Sequence, residues 1–340
     1  MARPKPDLLP FTELKFINYL SKGRTIRSIG YHFKISEKET RRLLKQNYKG
    51  YDLFEPLNEY NEVLYSLVKQ PPKEIVLQPR KIATRYADGT EDYIQVQMRG
   101  NHQEIRIVPL CDAHYGNKCH KREKFLKYIE YIRTNDNVFS VIMGDMNESK
   151  TETGKGHIYD QIVDPHTQLN DMTLMLSPIA HKLIAACPGN HEEQIFQRSG
   201  MDVMDIMCKR LEIPYFRGAG MFHVLWKKRQ WGFKIFHGKG NSQTKGGKMN
   251  NAIRSKRWTD DMDFFLSGHT HDLVVQPETK FLPDVPNCRI IEKTYWTVVA
   301  PSFLGYWGGY AQKMDYPPPA KGGVACVLYP DGSYKAEMTT

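Results

Sequence analysis

Five short apolar segments of the chain each run directly into a residue that can bind a metal ion. They are Ile105–Cys111, Val138–Met143, Leu183–Cys187, Phe233–Phe236 and Phe264–Leu266. Longer stretches with helical spacing lie between them, and this alternation predicts an α/β domain. Ligands of open α/β folds bind beyond the carboxyl ends of the strands, so we expect the five following loops to converge on one crevice.

The loops after these segments carry histidine, aspartate and asparagine. They read Asp112-Ala113-His114, Gly144-Asp145, Gly189-Asn190-His191-Glu192, His237-Gly238 and Gly268-His269-Thr270-His271. Imidazole and carboxylate together suit manganese, iron, zinc or nickel. A lone Asp-x-His is more often a turn or a helix cap than a ligand pair. Five such loops in order, each behind a predicted strand, indicate a metal site.

This series of motifs resembles that of the calcineurin-like metallophosphoesterases, over residues 104 to about 272. The resemblance implies an α/β fold, a β-sandwich flanked by helices, holding two divalent metal ions. We expect manganese first, with iron, zinc or nickel as alternatives. The predicted domains are a helical helix-turn-helix-like module (1–70), a linker with a β-hairpin (71–103) and the catalytic domain (104–340).

The resemblance also implies a role for each motif residue. One metal ion would be held by Asp112, His114 and His271, the other by Asn190, His237 and His269, with Asp145 bridging both. His191 would protonate the leaving group as a general acid. The reaction would be in-line attack of a metal-bridging hydroxide on a phosphoester. Glu148 stands where the family often has Asp or Asn.

The first part of the chain predicts helices up to about Gln70. Apolar spacing favours helices at Phe11–Leu20 and Ile26–Phe33, and Ser36 with Glu39 forms a capping box for a third. A fourth apolar stripe runs from Leu57 to Val68.

Residues 25–45 resemble a helix-turn-helix. That resemblance makes four basic residues candidate nucleic-acid contacts: Lys38, Arg41, Arg42 and Lys45. The alternative is a small helical bundle that serves in dimerisation or docking to protein.

Charge and aromatic content bear on the substrate. The formal net charge is +10, which favours polyanions. Aromatic residues near the carboxyl end can stack unpaired bases: Tyr295, Trp296, Phe303, Tyr306, Trp307 and Tyr310. Core packing is the more typical role for Tyr295 and Phe303. We therefore expect a phosphodiesterase acting on nucleic acid, first of all a DNA nuclease or exonuclease. The alternatives are a phosphodiesterase or phosphatase for small molecules or cyclic nucleotides, and a DNA-binding regulator with a vestigial metal site.

The remaining expectations concern location and assembly. The six cysteines form no CxxC pair and mostly lie in apolar runs, which is typical of reduced, buried thiols in a cytoplasmic protein. No segment is long and apolar enough to predict a membrane span. The apolar stripe of Met201, Met204, Met207 and Leu211 fits either core packing or a homodimer face.

Overall fold

A computed structural model describes most of the chain. The described residues are 13–20, 24–46, 51–54, 66–69, 78–80, 93–151, 160–240, 242, 244–254, 259, 262–318 and 320–339. The chain separates into two compact units, Met1–Ile75 and Val76–Thr340. The predicted boundaries at 70 and 103 remain predictions.

The first unit contains three helices and two short strands. The helices are α1 (Glu13–Leu20), α2 (Ile26–Phe33) and α3 (Glu37–Leu44). Thr25 caps α2 by accepting the Ser28 N–H, and Ser36 caps α3 by accepting the Glu39 N–H. The Ser36 cap was predicted from the sequence, and both caps form because short hydroxyl side chains satisfy the free N–H groups of a first helical turn.

Between α2 and α3 the chain turns at Lys34, which adopts a left-handed conformation (φ 54°). A left-handed residue is the usual way to end a helix. A buried core of Phe16, Leu20, Ile29, Leu43 and Leu44 holds the three helices together. The helix-turn-helix-like segment is therefore a packed helical module.

The predicted fourth helix is wrong at its carboxyl end. Strand β1 (Tyr51–Phe54) pairs antiparallel with β2 (Ser66–Lys69), so Leu67 and Val68 lie on a strand. Leu53 lies opposite Leu67 and packs against the helical core. Residues 55–65, the rest of the predicted helix, lie outside the described residues.

The second unit contains two mixed β-sheets with helices. Its strands are β3 (Gln78–Arg80), β4 (Tyr93–Gln97), β5 (Ile105–Leu110), β6 (Val138–Met143), β7 (Leu183–Cys187), β8 (Gly220–Trp226), β9 (Arg229–Ile235), β10 (Phe264–Ser267), β11 (Val274–Asp284), β12 (Arg289–Val299), β13 (Gly323–Leu328) and β14 (Tyr334–Thr339). Its helices are α4 (Arg122–Thr134), α5 (Pro165–Leu176), α6 (Asn190–Ser199), α7 (Val203–Leu211), α8 (Lys245–Arg254) and α9 (Tyr310–Lys313). The α/β prediction is confirmed.

The five-stranded sheet has the order β14-β13-β5-β6-β7. Strands β5, β6 and β7 are parallel neighbours, so their carboxyl ends share one edge. Every residue of β6 and β7 is buried, as expected for parallel strands covered on both faces.

The seven-stranded sheet has the order β11-β12-β10-β9-β8-β4-β3. Within this sheet, strand β10 runs parallel to both of its neighbours, β9 and β12. The predicted hairpin around residues 87–90 falls outside the described residues, but its flanking strands β3 and β4 pair antiparallel within this sheet.

Helices and side chains of the second unit also settle smaller predictions. Met204, Met207 and Leu211 of α7 are buried, so this stripe packs in the core, while Met201 is exposed. Cys288 is exposed, which corrects the prediction that the cysteines are buried; the other five are buried and all six are free thiols.

Lys182 is fully buried and its ammonium donates to the carbonyls of Ile132 and Asn135, each at 2.7 Å.

Within the described ranges, no helix combines the length and apolar character that crossing a bilayer requires.

Candidate metal centre

The loops after β5, β6, β7, β9 and β10 meet at one place. The Asp112 N–H donates to the Gly144 carbonyl (3.1 Å) and the His114 N–H donates to the Asp145 carbonyl (2.9 Å). The His269 N–H donates to Asp112 Oδ2 (2.8 Å), which joins the loops of the two sheets. The carboxyl ends of both parallel strand sets therefore face a common site.

The first ligand group consists of Asp112, His114 and His271, whose ligand atoms lie within 4.8 Å of one another. His114 Nε2 lies 3.1 Å from His271 Nε2, and His271 Nε2 lies 3.3 Å from Asp112 Oδ1. Asp112 is fully buried. Burial alone would raise the pKa of Asp112, but His114 and His271 outweigh burial and hold the pKa well below its usual range. Asp112 is therefore a carboxylate.

The second ligand group consists of Asp145, Asn190, His237 and His269. His237 Nε2 lies 3.0 Å from Asp145 Oδ2, 3.0 Å from Asn190 Oδ1 and 3.1 Å from His269 Nδ1. Burial, followed by the neighbouring His237, lowers the pKa of His269. Four side chains from four loops thus direct oxygen and nitrogen atoms at one point.

Asp145 lies between the two groups. Its Oδ2 is 3.0 Å from His237 Nε2 and 3.8 Å from His114 Nε2. Burial would raise the pKa of Asp145, but His237 and His191 lower it far below the usual value. A single carboxylate oxygen therefore serves both groups, which is the position required of a bridging ligand.

The tautomer of His237 points a lone pair of its Nε2 at the lone pairs of two neighbouring oxygen atoms, with no hydrogen between them. His237 Nδ1 donates to the Met143 carbonyl (2.7 Å), because a carbonyl can only accept. In neutral His237, Nε2 is then an acceptor that faces two further acceptors, Asp145 Oδ2 and Asn190 Oδ1. Such an arrangement requires a cation, either a proton or a metal ion.

The titration of His237 and an unpaired oxygen of Asp112 point the same way. Burial would lower the pKa of His237, but Asp145 raises it to about 9, so without a metal a proton takes that place. Asp112 Oδ1 is fully buried, and among the described residues no hydrogen bond reaches it. Buried carboxylate oxygens are normally paired or bound to a metal. The buried Asp, His and Glu groups can therefore hold a metal ion.

His191 lies beside both groups without belonging to either. Its N–H donates to Asp145 Oδ1 (2.9 Å), and its ring Nδ1 donates to the Glu148 carbonyl (2.5 Å). Nε2 is left facing Asp145 Oδ2 at 4.0 Å. This arrangement fixes the ring and directs its second nitrogen into the site.

Glu148 supports both His114 and His191. Its Oε2 accepts from His114 Nδ1 (3.1 Å), which leaves His114 Nε2 free to bind a metal, and its Oε1 pairs with the buried Lys150 ammonium (3.1 Å). Burial would raise the pKa of Glu148, but the His114 hydrogen bond lowers it to about 2. A carboxylate that orients a ligand imidazole typically changes metal affinity strongly when it is removed.

Glu192 ties together the loops that carry Asp145 and Asn190. Its Oε2 accepts the N–H groups of Asp145 (2.9 Å) and Gly189 (3.0 Å), and its Oε1 accepts the Asn147 N–H (3.1 Å). Burial and then the Asp145 charge raise the pKa of Glu192, while the three N–H donors act in the opposite direction by stabilising its carboxylate.

Gly144 and Gly189 allow the loops that carry Asp145 and Asn190 to approach each other closely. A Cβ on Gly144 (φ 77°) would lie 2.6 Å from the Pro188 carbonyl carbon, and one on Gly189 would lie 2.8 Å from Asp145 Cγ. Neither obstacle is a flexible side-chain end, so neither position has room for a larger residue. The two loops contact each other backbone to backbone only because both residues are glycine.

Five ligand residues have left-handed backbone conformations. They are Asp112, His114, Asp145, His269 and His271, with φ between 48° and 67°. Such conformations are uncommon outside glycine and cluster at functional sites. The rest of the fold must hold these residues in place.

All seven side chains predicted as ligands lie in this centre, with His191 beside them. The predicted nucleic-acid residues Lys38, Arg41, Arg42 and Lys45 lie on and after α3 of the first unit, and all four are exposed. Arg41 pairs with Glu37 (2.7 Å) and Arg42 with Glu39 (2.6 Å).

Sequence reasoning assigned no role to Glu192 or Lys150. The position of Glu192 at the third residue of α6 is a signal that was available, since Glu there commonly accepts backbone N–H groups. Lys150 carries no comparable signal.

Comparison with known proteins adds no assignment, because no protein-family model matches the chain and no similar curated protein was found.

Proposed function

We propose that this protein is a dinuclear metallophosphoesterase of the calcineurin-like type that hydrolyses phosphodiester bonds of nucleic acid. The observation that carries the proposal is the position of the buried Asp145 Oδ2 between two groups of candidate ligands. The two mixed sheets, whose parallel strand ends meet at the centre, support a metallophosphoesterase sandwich. Manganese is the first candidate metal, since imidazole with carboxylate suits it and its neighbours.

Asp112, His114 and His271 would hold one cation and Asn190, His237 and His269 the other, with Asp145 shared. Two divalent cations supply Lewis acidity that polarises the phosphate and lowers the pKa of water. Asp145 offsets part of the repulsion between the two positive charges. Glu148 and the Met143 carbonyl keep His114 and His237 in the tautomer that exposes Nε2.

His191 would act on the leaving group. Its Nδ1 hydrogen is engaged by the Glu148 carbonyl, so the proton it can transfer is carried on Nε2. Donation from Nε2 to the departing alkoxide oxygen makes His191 a general acid.

Nucleic acid is the substrate that charge favours. The net charge of +10 attracts polyanions. Lys38 and Lys45 are exposed, and the pairs of Arg41 and Arg42 are surface ion pairs worth only about 0.2–1 kcal/mol each, which phosphates can replace. A second candidate function is a phosphodiesterase for small substrates. The ion pairs of Arg41 and Arg42 favour it, because they neutralise part of the basic surface of α3.

The test combines metal analysis with a substrate panel. Purified protein is expected to bind two equivalents of Mn²⁺ and to cleave bis-p-nitrophenyl phosphate together with DNA or RNA. Asp145→Asn and His237→Ala are expected to lose most activity and one or both metal ions, while Phe281→Ala, on an exposed part of β11, serves as the control. Cleavage of the small ester with all nucleic acids intact would favour the second candidate. Full activity in Asp145→Asn would refute the metal mechanism.

A further inference from the structure

Trp307 is a large, exposed aromatic side chain in the second unit. Its exposed fraction is 78%, whereas Tyr295 and Phe303 of the same aromatic segment are buried at 5%. An exposed indole presents a flat aromatic face on which an unpaired base can stack. The aromatic segment therefore divides into packing residues and an outward-facing one.

The loop carrying Trp307 is fastened to the chain that follows Asp112. The Phe303 N–H donates to the Asp112 carbonyl (3.0 Å), and the Gly305 N–H donates to the Cys119 carbonyl (2.7 Å). Cys119 Sγ donates to the Trp307 carbonyl (3.6 Å). Trp307 lies four residues beyond Phe303, so the chain between these two residues spans at most about 14 Å even when fully extended. The indole is therefore within reach of a short oligonucleotide held at the centre.

Lys121, which directly precedes α4, places a cation against the loop that carries Trp307. Lys121 donates its N–H to the Phe303 carbonyl (2.7 Å), and its side chain lies over Gly305, where a Cβ would be 2.8 Å from Nζ. Within the described part of the chain, no carboxylate pairs with this ammonium. The nearby Asp160 is already paired with Lys118 (2.6 Å), whose hydrogen bond lowers the pKa of Asp160, with smaller contributions from Lys313 and Lys150. Asp160 is thus already engaged by another lysine.

We propose that the Trp307 indole and the Lys121 ammonium form a nucleotide subsite, in which an unpaired base stacks on the indole and the adjoining phosphate pairs with the ammonium. The inference rests on the proposed function, since the subsite serves phosphodiesters of nucleic acid at the metal centre. Stacking on an aromatic side chain requires an unpaired base, so the substrate class is single-stranded nucleic acid or a frayed end.

The experiment is equilibrium binding of the full chain to a short thymidylate oligonucleotide and to its abasic counterpart, in a chelating buffer that prevents cleavage. Wild type is expected to prefer the oligonucleotide with bases. Trp307→Ala is expected to weaken its binding by about 5- to 150-fold, the range for loss of one stacked base, and to abolish the preference over the abasic strand. Trp307→Phe is expected to retain most of the preference, and the matched exposed aromatic control Phe281→Ala to bind like wild type.

Lys121 has a separate readout. Lys121→Gln is expected to lower the slope of log affinity against log salt by about 0.7, the value for one phosphate contact on a single strand. Trp307→Ala is expected to leave that slope unchanged. An unchanged slope in Lys121→Gln would overturn the phosphate contact.

The remaining outcomes separate this inference from the proposed function. Equal affinity of Trp307→Ala and wild type, or equal affinity of wild type for both strands, would overturn the base contact. A change of oligomeric mass in Trp307→Ala with unchanged oligonucleotide binding would assign the indole to self-association and also overturn it. Trp307-dependent binding with no Mn²⁺-dependent cleavage would support the subsite and refute the nuclease activity.

Discussion

Replacing Glu192 with glutamine removes one of two oxygens that together accept three buried N–H groups. The glutamine oxygen can take the place of Oε2 and keep the bonds from Asp145 and Gly189. Its amide nitrogen then faces the Asn147 N–H, and one buried donor is left without an acceptor. That costs about 1–3 kcal/mol of unfolding free energy. Glu192→Ala leaves all three donors unpaired and is expected to cost at least about 3 kcal/mol.

The same change is expected to weaken metal binding. The Asp145 N–H is one of the three donors, and Asp145 is held in a left-handed conformation. Loss of a group that positions a ligand typically weakens metal affinity about 10- to 100-fold. We expect a weakening of this size for Mn²⁺ in Glu192→Gln.

Two measurements check this prediction. Guanidinium unfolding followed by tryptophan fluorescence reports the second unit through the buried Trp226 and Trp231, and titration calorimetry reports Mn²⁺ affinity. Glu193→Gln is the matched control, because among the described residues the Glu193 side chain accepts a hydrogen bond only from Gln197 on the same helix (3.3 Å). Equal stability and Mn²⁺ affinity in Glu192→Gln and Glu193→Gln would show that the three N–H bonds do not hold the loops.

Three further substitutions have defined outcomes. Gly144→Ala is expected to cost more than about 2 kcal/mol and to reduce bound metal, since φ is 77° and the new Cβ meets Gly189 backbone; normal metal content would contradict this. Lys182→Met is expected to cost about 1–3 kcal/mol by removing the ammonium donor to the buried Ile132 carbonyl, whereas the Asn135 carbonyl keeps its bond from the Val138 N–H (3.0 Å); urea unfolding at neutral pH measures this cost. Burial lowers the pKa of His181 to about 4, so only the unfolded state gains this proton between pH 6.5 and 4. The free energy of unfolding of wild type should therefore fall by about 1–2 kcal/mol over that pH range, after allowance for the partial exposure of His181. His181→Leu should not show this loss, and parallel curves of stability against pH for the two proteins would refute the prediction.

The ligand set could be predicted from the sequence because each candidate ligand lies within four residues of the carboxyl end of a strand. Strand runs such as Val138–Met143 coincide with the observed strands, and parallel strand ends share one edge. The supporting residues were harder to predict. Glu148 and Lys150 act through contacts across loops, and Lys150 pairs with Glu148 in a buried position that no local pattern reveals.

The carboxyl end of the predicted helix at residues 57–68 was wrong for a different reason. Its apolar spacing fits a helix, but Leu67 and Val68 pair with Leu53 and Asp52 of β1. Partners in another strand decide whether a short apolar run becomes helix or strand, and local spacing does not contain them. The same limit applied to β14, which pairs with β13 and was not predicted. The core packing of Tyr295 and Phe303 was predicted correctly, whereas the exposure of Trp307 comes from the structure.

The left-handed backbone at five ligand positions restricts which replacements can be interpreted. A β-branched or bulky residue at position 112 or 145 changes both the donor atom and the path of the main chain. Asparagine tolerates this conformation better than most residues and matches aspartate in shape. Asp112→Asn and Asp145→Asn therefore alter the charge while leaving the chain path unchanged, and sequence drift away from aspartate at these two positions should pass through asparagine first.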